Sequence, residues 1–263
     1  MPKLAANLSW IYQEVPLLQR FGAAAAHGFE AVEMLFPYEL PAADIAAELR
    51  KHKLVQALFN LPPGDWSKGE RGLAALPGRE ADFAAALDKA LEYAEALECR
   101  TLHVMSGLIA PGADTTAMHR TFLSNLRKAC NRTAGSGVTL VLEPINHRDI
   151  PSYFTHTTDQ VKKIIDEVGA PHLKLQLDLY HLQVTEGDLT RRTERLFPLT
   201  GHVQIAGNPD RNEPDLGEAN HLYLLDVLDR LGYRGYVGLE YKPRTTTAAG
   251  LGWAAKYGIK VRA

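Results

Sequence analysis

Four polar residues stand where apolar segments end: Glu143 closes TLVLE, Asp178 closes LKLQLD, Gln204 falls in HVQIA, and Glu240 closes VGLE. They follow one another at 35, 26 and 36 residues, each about the length of one β/α unit. If each segment is a strand of one parallel sheet, all four side chains project into the same mouth. Three carboxylates and an amide oxygen make an all-oxygen donor set, which suits a hard divalent cation such as Mg²⁺ or Mn²⁺ better than zinc. A lone acid at a strand end serves equally well as a helix cap. Three converging acids would repel one another, and a divalent ion is the natural way to keep them ionised together.

Further candidates flank these positions. His181, three residues past Asp178 on the loop expected to leave the same strand, can face a substrate beside the metal. Arg211, in the charged loop NPDRNEPDLGEAN, can clamp a carboxylate with its two-pronged guanidinium. Lys242 and Arg244 in EYKPR offer a second anion-binding option. His103, Glu33, Trp10, Trp66 and Phe59 are assigned to packing first and to the pocket second.

The elements that must position these residues are legible in the apolar pattern. Strands are expected over Leu4–Asn7, Ala31–Leu35, Leu54–Phe59, Thr101–Met105, Thr139–Glu143, Leu173–Asp178, His202–Ile205 and Tyr236–Glu240. Amphipathic helices are expected between them, over Val15–His27, Asp44–His52, Glu80–Leu97, Thr116–Ala134, Thr158–Val168 and Leu222–Leu231. The long irregular stretches, 60–77, 144–157 and 206–220, each begin just after a strand. No GxGxxG follows the first strand and no phosphate loop occurs, which disfavours a doubly wound nucleotide-binding sheet. The expectation is a single (β/α)₈ TIM barrel over residues 1–263, with its chemistry at the ends of the strands.

Composition sets the remaining bounds. Hydrophobic residues make up 46% of the 263, enough for one large core. Lys plus Arg number 29 against 31 Asp plus Glu, a formal net charge of −2, so neither nucleic acid nor an anionic membrane is an expected partner. Cys99 and Cys130 have no CxxC spacing and read as buried apolar residues. Met1 to Trp10 lacks the form of a signal peptide, and no run reaches the roughly 18 to 20 apolar residues that span a bilayer. The expected location is cytoplasmic. The expected partner is a small hydroxy or oxo acid or a short sugar, and a homo-oligomer is compatible with this class of barrel.

With these residues in view, the chain resembles the hydroxypyruvate isomerase family within the xylose-isomerase-like barrels. The resemblance runs along nearly the whole length and rests on ANLSW, FNLPPGDW, LPGRE, LEPIN, QLDLYH, GHVQIAGNPDR and LEYKPR. It implies that Glu143 and Glu240 are the paired catalytic glutamates, and that Glu143, Asp178, Gln204 and Glu240 bind the metal. It also implies the reaction, the interconversion of hydroxypyruvate and tartronate semialdehyde by proton transfer through an enediolate. Ketose 3-epimerases of the same scaffold typically carry His where Gln204 stands. The chain departs from the family pattern at Asn212, Ala219 and His221, which bears on pocket shape. Alternatives are a 2-oxo-tetronate isomerase or ketose 3-epimerase on the same platform, and a non-catalytic barrel that binds a sugar acid. A DNA-repair endonuclease of this fold would need additional His ligands that the strands do not supply.

Overall fold

Each of the eight apolar segments forms a strand, and each strand pairs in parallel with its neighbours in sequence until the last closes on the first. In the computed structural model, which describes residues 1–260, the strands are β1 (Lys3–Asn7), β2 (Ala31–Glu33), β3 (Val55–Asn60), β4 (Thr101–His103), β5 (Thr139–Leu142), β6 (Leu173–Asp178), β7 (Thr200–Ile205) and β8 (Tyr236–Leu239). The helices between them are α1 (Leu17–Ala26), α2 (Ala42–His52), α3 (Glu80–Ala96), α4 (Thr115–Thr133), α5 (Thr158–Val168), α6 (Leu179–Thr185), α7 (Leu189–Leu196), α8 (His221–Arg230) and α9 (Thr247–Gly250). The architecture is the (β/α)₈ TIM barrel that the pattern predicts. Among the described residues no helix is long and apolar enough to cross a membrane.

Several details differ from the sequence reading, among them β2 and β4, which end at Glu33 and His103 rather than Leu35 and Met105. The predicted β5 and β8 stop one residue early, so Glu143 and Glu240 stand just beyond the last strand residue. The segment after Asp178 is not a loop but α6. Asp178 caps this helix, its Oδ1 accepting the Tyr180 main-chain N–H at 2.8 Å, and His181 therefore lies in the first helical turn. Helix α7 was not anticipated, because the sequence LTRRTERL carries too few apolar residues to show a periodic face.

The main core is one large cluster in which helix faces pack on the outer surface of the barrel, and a second, small cluster is formed by Met105, Ile145 and Tyr153. Phe21 of α1, Ile45 of α2, Phe83 of α3, Phe122 of α4, Ile164 of α5 and Leu225 of α8 are all buried in the main cluster. Cys99 and Cys130 are buried and free, as expected. The barrel's interior is polar beneath its mouth. Glu33 is fully buried, pairs with His202 Nε2, and accepts from Gln204 Nε2 at 3.0 Å and Asn7 Nδ2 at 3.4 Å. This layer needs a bare backbone on β8: a Cβ on Gly238 would lie 2.2 Å from Glu33 Oε2.

Candidate active site

The three loops 60–77, 144–157 and 206–220 surround a cavity of about 340 Å³ at the carboxyl ends of the strands. Glu143, Glu240, His181, His103 and Arg211 all reach it, and Trp10, Phe36 and Trp66 form much of its apolar wall.

Two of the carboxylates, Glu143 and Asp178, lie close together and are short of partners. Asp178 Oδ1 is spent on capping α6, while Oδ2 is buried without a hydrogen bond among the described residues. Glu143 Oε1 is in the same condition. One atom each from Glu143, Asp178 and His181 lie within 4.8 Å of one another. Burial pushes the acids toward their neutral forms. It raises Glu240 to about 8, with Asp178 and Glu33 nearby acting in the same direction and Arg211 opposing. It raises Asp178 to about 6 against the pull of Arg211. Glu143 is raised well above the carboxylate range by burial, then by Glu240 and Asp178.

Arg211 is the cation that faces these acids. Its Nη2 donates to Glu240 Oε1 at 2.7 Å and lies 3.5 Å from Asp178 Oδ2, its Nη1 donates to Asp149 Oδ2 at 2.9 Å, and its Nε donates to the Glu240 main-chain oxygen at 3.2 Å. The guanidinium lies 4.5 Å from the ring centroid of Trp10 and 4.8 Å from that of Tyr180. Burial alone would lower its pKa, but Glu240, Asp178 and Glu143 together hold it above the ordinary value. One guanidinium against three carboxylates leaves two negative charges to be met by protons or by a cation. Burying an uncompensated ion costs several kcal/mol.

The donor set is consistent with a divalent ion. The orphaned oxygens of Glu143 and Asp178 are the atoms such an ion would take, and Glu240 adjoins them through Arg211. Gln204 is brought to the same place but turned. Its Nε2 donates to Glu240 Oε2 at 2.6 Å, and its Oε1 accepts from Gln176 Nε2 at 2.6 Å. To act as a ligand its amide must rotate by half a turn, and Gln176, which now presents Nε2, must turn with it so that its buried Oε1, unpartnered among the described residues, accepts from Gln204 Nε2.

His181 is better suited to donating a hydrogen bond than to binding a metal. Asn146 Oδ1 accepts the Asp149 main-chain N–H at 2.8 Å, which orients the amide so that Nδ2 lies 2.6 Å from His181 Nδ1. The Asn146 main-chain N–H approaches the same nitrogen at 3.4 Å. Nδ1 is therefore the acceptor, and in the neutral ring the proton sits on Nε2, 3.8 Å from Glu143 and 3.6 Å from Asp178. Burial, followed by Arg211 and His103, holds the ring well below the usual histidine range and so neutral. His103 is neutral for the same reason, lowered to about 3 by burial and by His202.

Of the residues singled out in the sequence, Glu143, Asp178, Gln204, Glu240, His181 and Arg211 converge. Lys242 and Arg244 do not: both are exposed, and Arg244 lines a separate groove with Glu213 and Asp215. Trp10, Trp66 and His103 line the cavity, Phe59 lies in the core, and Glu33 lies in the polar layer below. The sequence reading missed Asn146, Asp149, Gln176 and Arg71. Asn146 and Asp149 stand in LEPINHRD directly after a strand carrying a site acid, a position that could have drawn attention to both.

A barrel of eight parallel strands with acids gathered at their carboxyl ends defines the class, and comparison with known proteins agrees. The family model described as "Xylose isomerase-like TIM barrel" matches residues 21–257, and the chain belongs to that family. Its relatives include a 2-oxo-tetronate isomerase of Cupriavidus necator, 54% identical and covering 98% of this chain and 99% of the relative. Hydroxypyruvate isomerase of Escherichia coli is 43% identical, with 98% and 100% covered. Among solved structures, one described as an AP endonuclease, family 2, from Brucella melitensis superposes with a TM-score of 0.96 at 51% identity, covering 98% of this chain and 99% of that one. An L-ribulose 3-epimerase shares the fold, with a TM-score of 0.77 at 20% identity over 98% of this chain and 87% of that one. The chain thus groups with isomerases along nearly its whole length.

Proposed function

We propose that this protein isomerises a short 2-oxo acid bearing a hydroxyl on C3, either hydroxypyruvate or its one-carbon-longer homologue 2-oxo-tetronate. The two reactions are chemically the same: the carbonyl moves from C2 to C3, a carbon-bound proton moves from C3 to C2, and a hydroxyl proton moves from O3 to O2. The sequence reading puts hydroxypyruvate first, while the 54% identical relative carries the four-carbon name.

The observation that carries the proposal is the pair Glu143 and Glu240. Both are buried, both line one cavity, and both have acidities shifted upward by burial, Glu240 to about 8, a value suited to accepting and returning a proton near neutral pH. One glutamate takes the proton from C3 and the other delivers a proton to C2. His181 Nε2–H donates to a substrate oxygen as charge develops on it. Arg211 stays with Glu240 and Asp178 and limits the charge that the site carries. Glu143, Asp178, Glu240 and a rotated Gln204 are the residues that would hold Mg²⁺ or Mn²⁺. Such an ion, when bound, supplies Lewis acidity toward the negative charge of the enediolate. The formal net charge of −2 gives no support to a nucleic-acid substrate.

The test is turnover of each acid in D₂O with added Mn²⁺, followed by NMR. Deuterium at C2 of the product, loss of turnover with a chelator, and a kcat/KM ratio between the two acids that names the substrate are expected. Absence of turnover on both acids, with Mn²⁺ and with Mg²⁺, would refute the proposal.

A further inference from the structure

Two arginines line the cavity, and they are in opposite circumstances. Every nitrogen of Arg211 is engaged by Glu240 or Asp149, and the guanidinium lies near two aromatic rings, those of Trp10 and Tyr180. Arg71 has no acid within ion-pair distance among the described residues. Its Nη1 donates to the main-chain oxygens of Trp66, at 3.1 Å, and Glu70, at 2.8 Å, and its guanidinium lies over the Trp66 ring at 3.6 Å. The neighbouring Glu70 does not neutralise it, because that carboxylate is bound by Arg79 Nη1 at 2.6 Å and by the Asp65 main-chain N–H. The edge formed by Nε and Nη2, which can make two parallel bonds to a carboxylate, carries no partner among the described residues.

The placement of Arg71 is built into the loop. Gly72, next in sequence, donates its N–H to Pro63 O at 2.8 Å and bridges to Ser106 just beyond β4. A Cβ there would lie 2.4 Å from Met105 O, and its φ of +118° is one that side chains rarely adopt, so the contact that fixes Arg71 requires glycine. The loop follows β3, which stands across the closed barrel from β7. Arg71 therefore lines the same cavity as Glu143 and Glu240, from the β3 side of the mouth.

We infer that Arg71 receives the C1 carboxylate of the substrate, with Trp66 as its platform, and thereby selects oxo acids over uncharged sugars. The inference rests on the isomerase reading given above and replaces Arg211 in the role of anion clamp. Arg71 is a binding residue: it orients C2 and C3 without taking part in proton transfer.

The experiment compares glycerate with glyceramide, two unreactive analogues that differ in charge at C1, by titration calorimetry on the Mn²⁺-loaded wild type and on Arg71→Met and Arg71→Lys. The wild type is expected to favour the acid on the order of 10- to 100-fold. Arg71→Met should remove that preference while leaving Mn²⁺ affinity unchanged, and Arg71→Lys should keep part of it, since an ammonium cannot make two parallel bonds. An undiminished acid preference in both variants would overturn the assignment. The isomerase reading is judged separately by wild-type turnover of the oxo acids. An enzyme that turns them over yet keeps its acid preference without Arg71 defeats only this inference.

Discussion

Loading the site with a divalent ion should expel protons, and their number follows from the acidities described above. At pH 7 a Glu240 carboxyl raised to about 8 is about nine-tenths protonated, and an Asp178 carboxyl raised to about 6 about one-tenth. Glu143 is shifted in the same direction by burial and by its acidic neighbours. Ligand oxygens must be deprotonated to bind, so Mn²⁺ should release on the order of one to two protons per site. The measurement is Mn²⁺ titration calorimetry in buffers of differing ionisation enthalpy, in which the slope of apparent enthalpy against buffer enthalpy counts the protons. At pH 9 Glu240 retains only about a tenth of a proton and the count should fall. The same shifts set a stability trend. An acid whose folded pKa exceeds its unfolded one stabilises the fold below the unfolded value, and that contribution is lost as pH rises through about 8. The Tm of the chelator-treated protein should therefore fall between pH 5 and 9, and Mn²⁺ should flatten that decline. Zero protons at pH 7, or a count that does not fall with pH, would refute the account of the buried acids.

Two substitutions probe other parts of the argument. Glu240→Gln should lower kcat by about 10²- to 10⁴-fold, the usual contribution of a general acid or base, while the fold persists because the amide resembles the protonated carboxyl already favoured at pH 7; retention of full activity would show that Glu240 moves no proton. Gly238→Ala should cost about 1–3 kcal/mol in urea unfolding, because the new methyl group must displace a Glu33 carboxylate held by His202, Gln204 and Asn7; wild-type stability would mean that the polar layer yields freely.

All eight strands were legible in the sequence because apolar runs rich in β-branched residues differ plainly from the amphipathic stretches that separate them. The converging acids were legible for a related reason: regular spacing along a repeating unit becomes proximity once the sheet closes. What stayed hidden depends on contacts between distant segments. Glu33 read as a lone acid in an apolar strand, yet its partner His202 lies 169 residues away on the opposite part of the chain. Arg211 was correctly placed at the mouth, but that its donors are consumed by Asp149 and Glu240 depends on how two loops cross. Arg71 lay in a loop without periodicity, where nothing local separates an anion-binding arginine from a surface one. Helix α7 was missed because its polar sequence has only Thr193 and Leu196 turned inward.

Arg211 also bears on which ions the site can accept. Its guanidinium already offers one positive charge to Glu240 and Asp178, through a hydrogen bond at 2.7 Å and an ion pair at 3.5 Å. A sodium or potassium ion brings no more charge than that and would have to shed its water to compete. A doubly charged ion brings more, at the point where Glu143 and Asp178 have oxygens without partners. An arginine placed here would thus compete with any ion proposed for the site, which would have to bring more charge than the arginine does to displace it from Glu240 and Asp178.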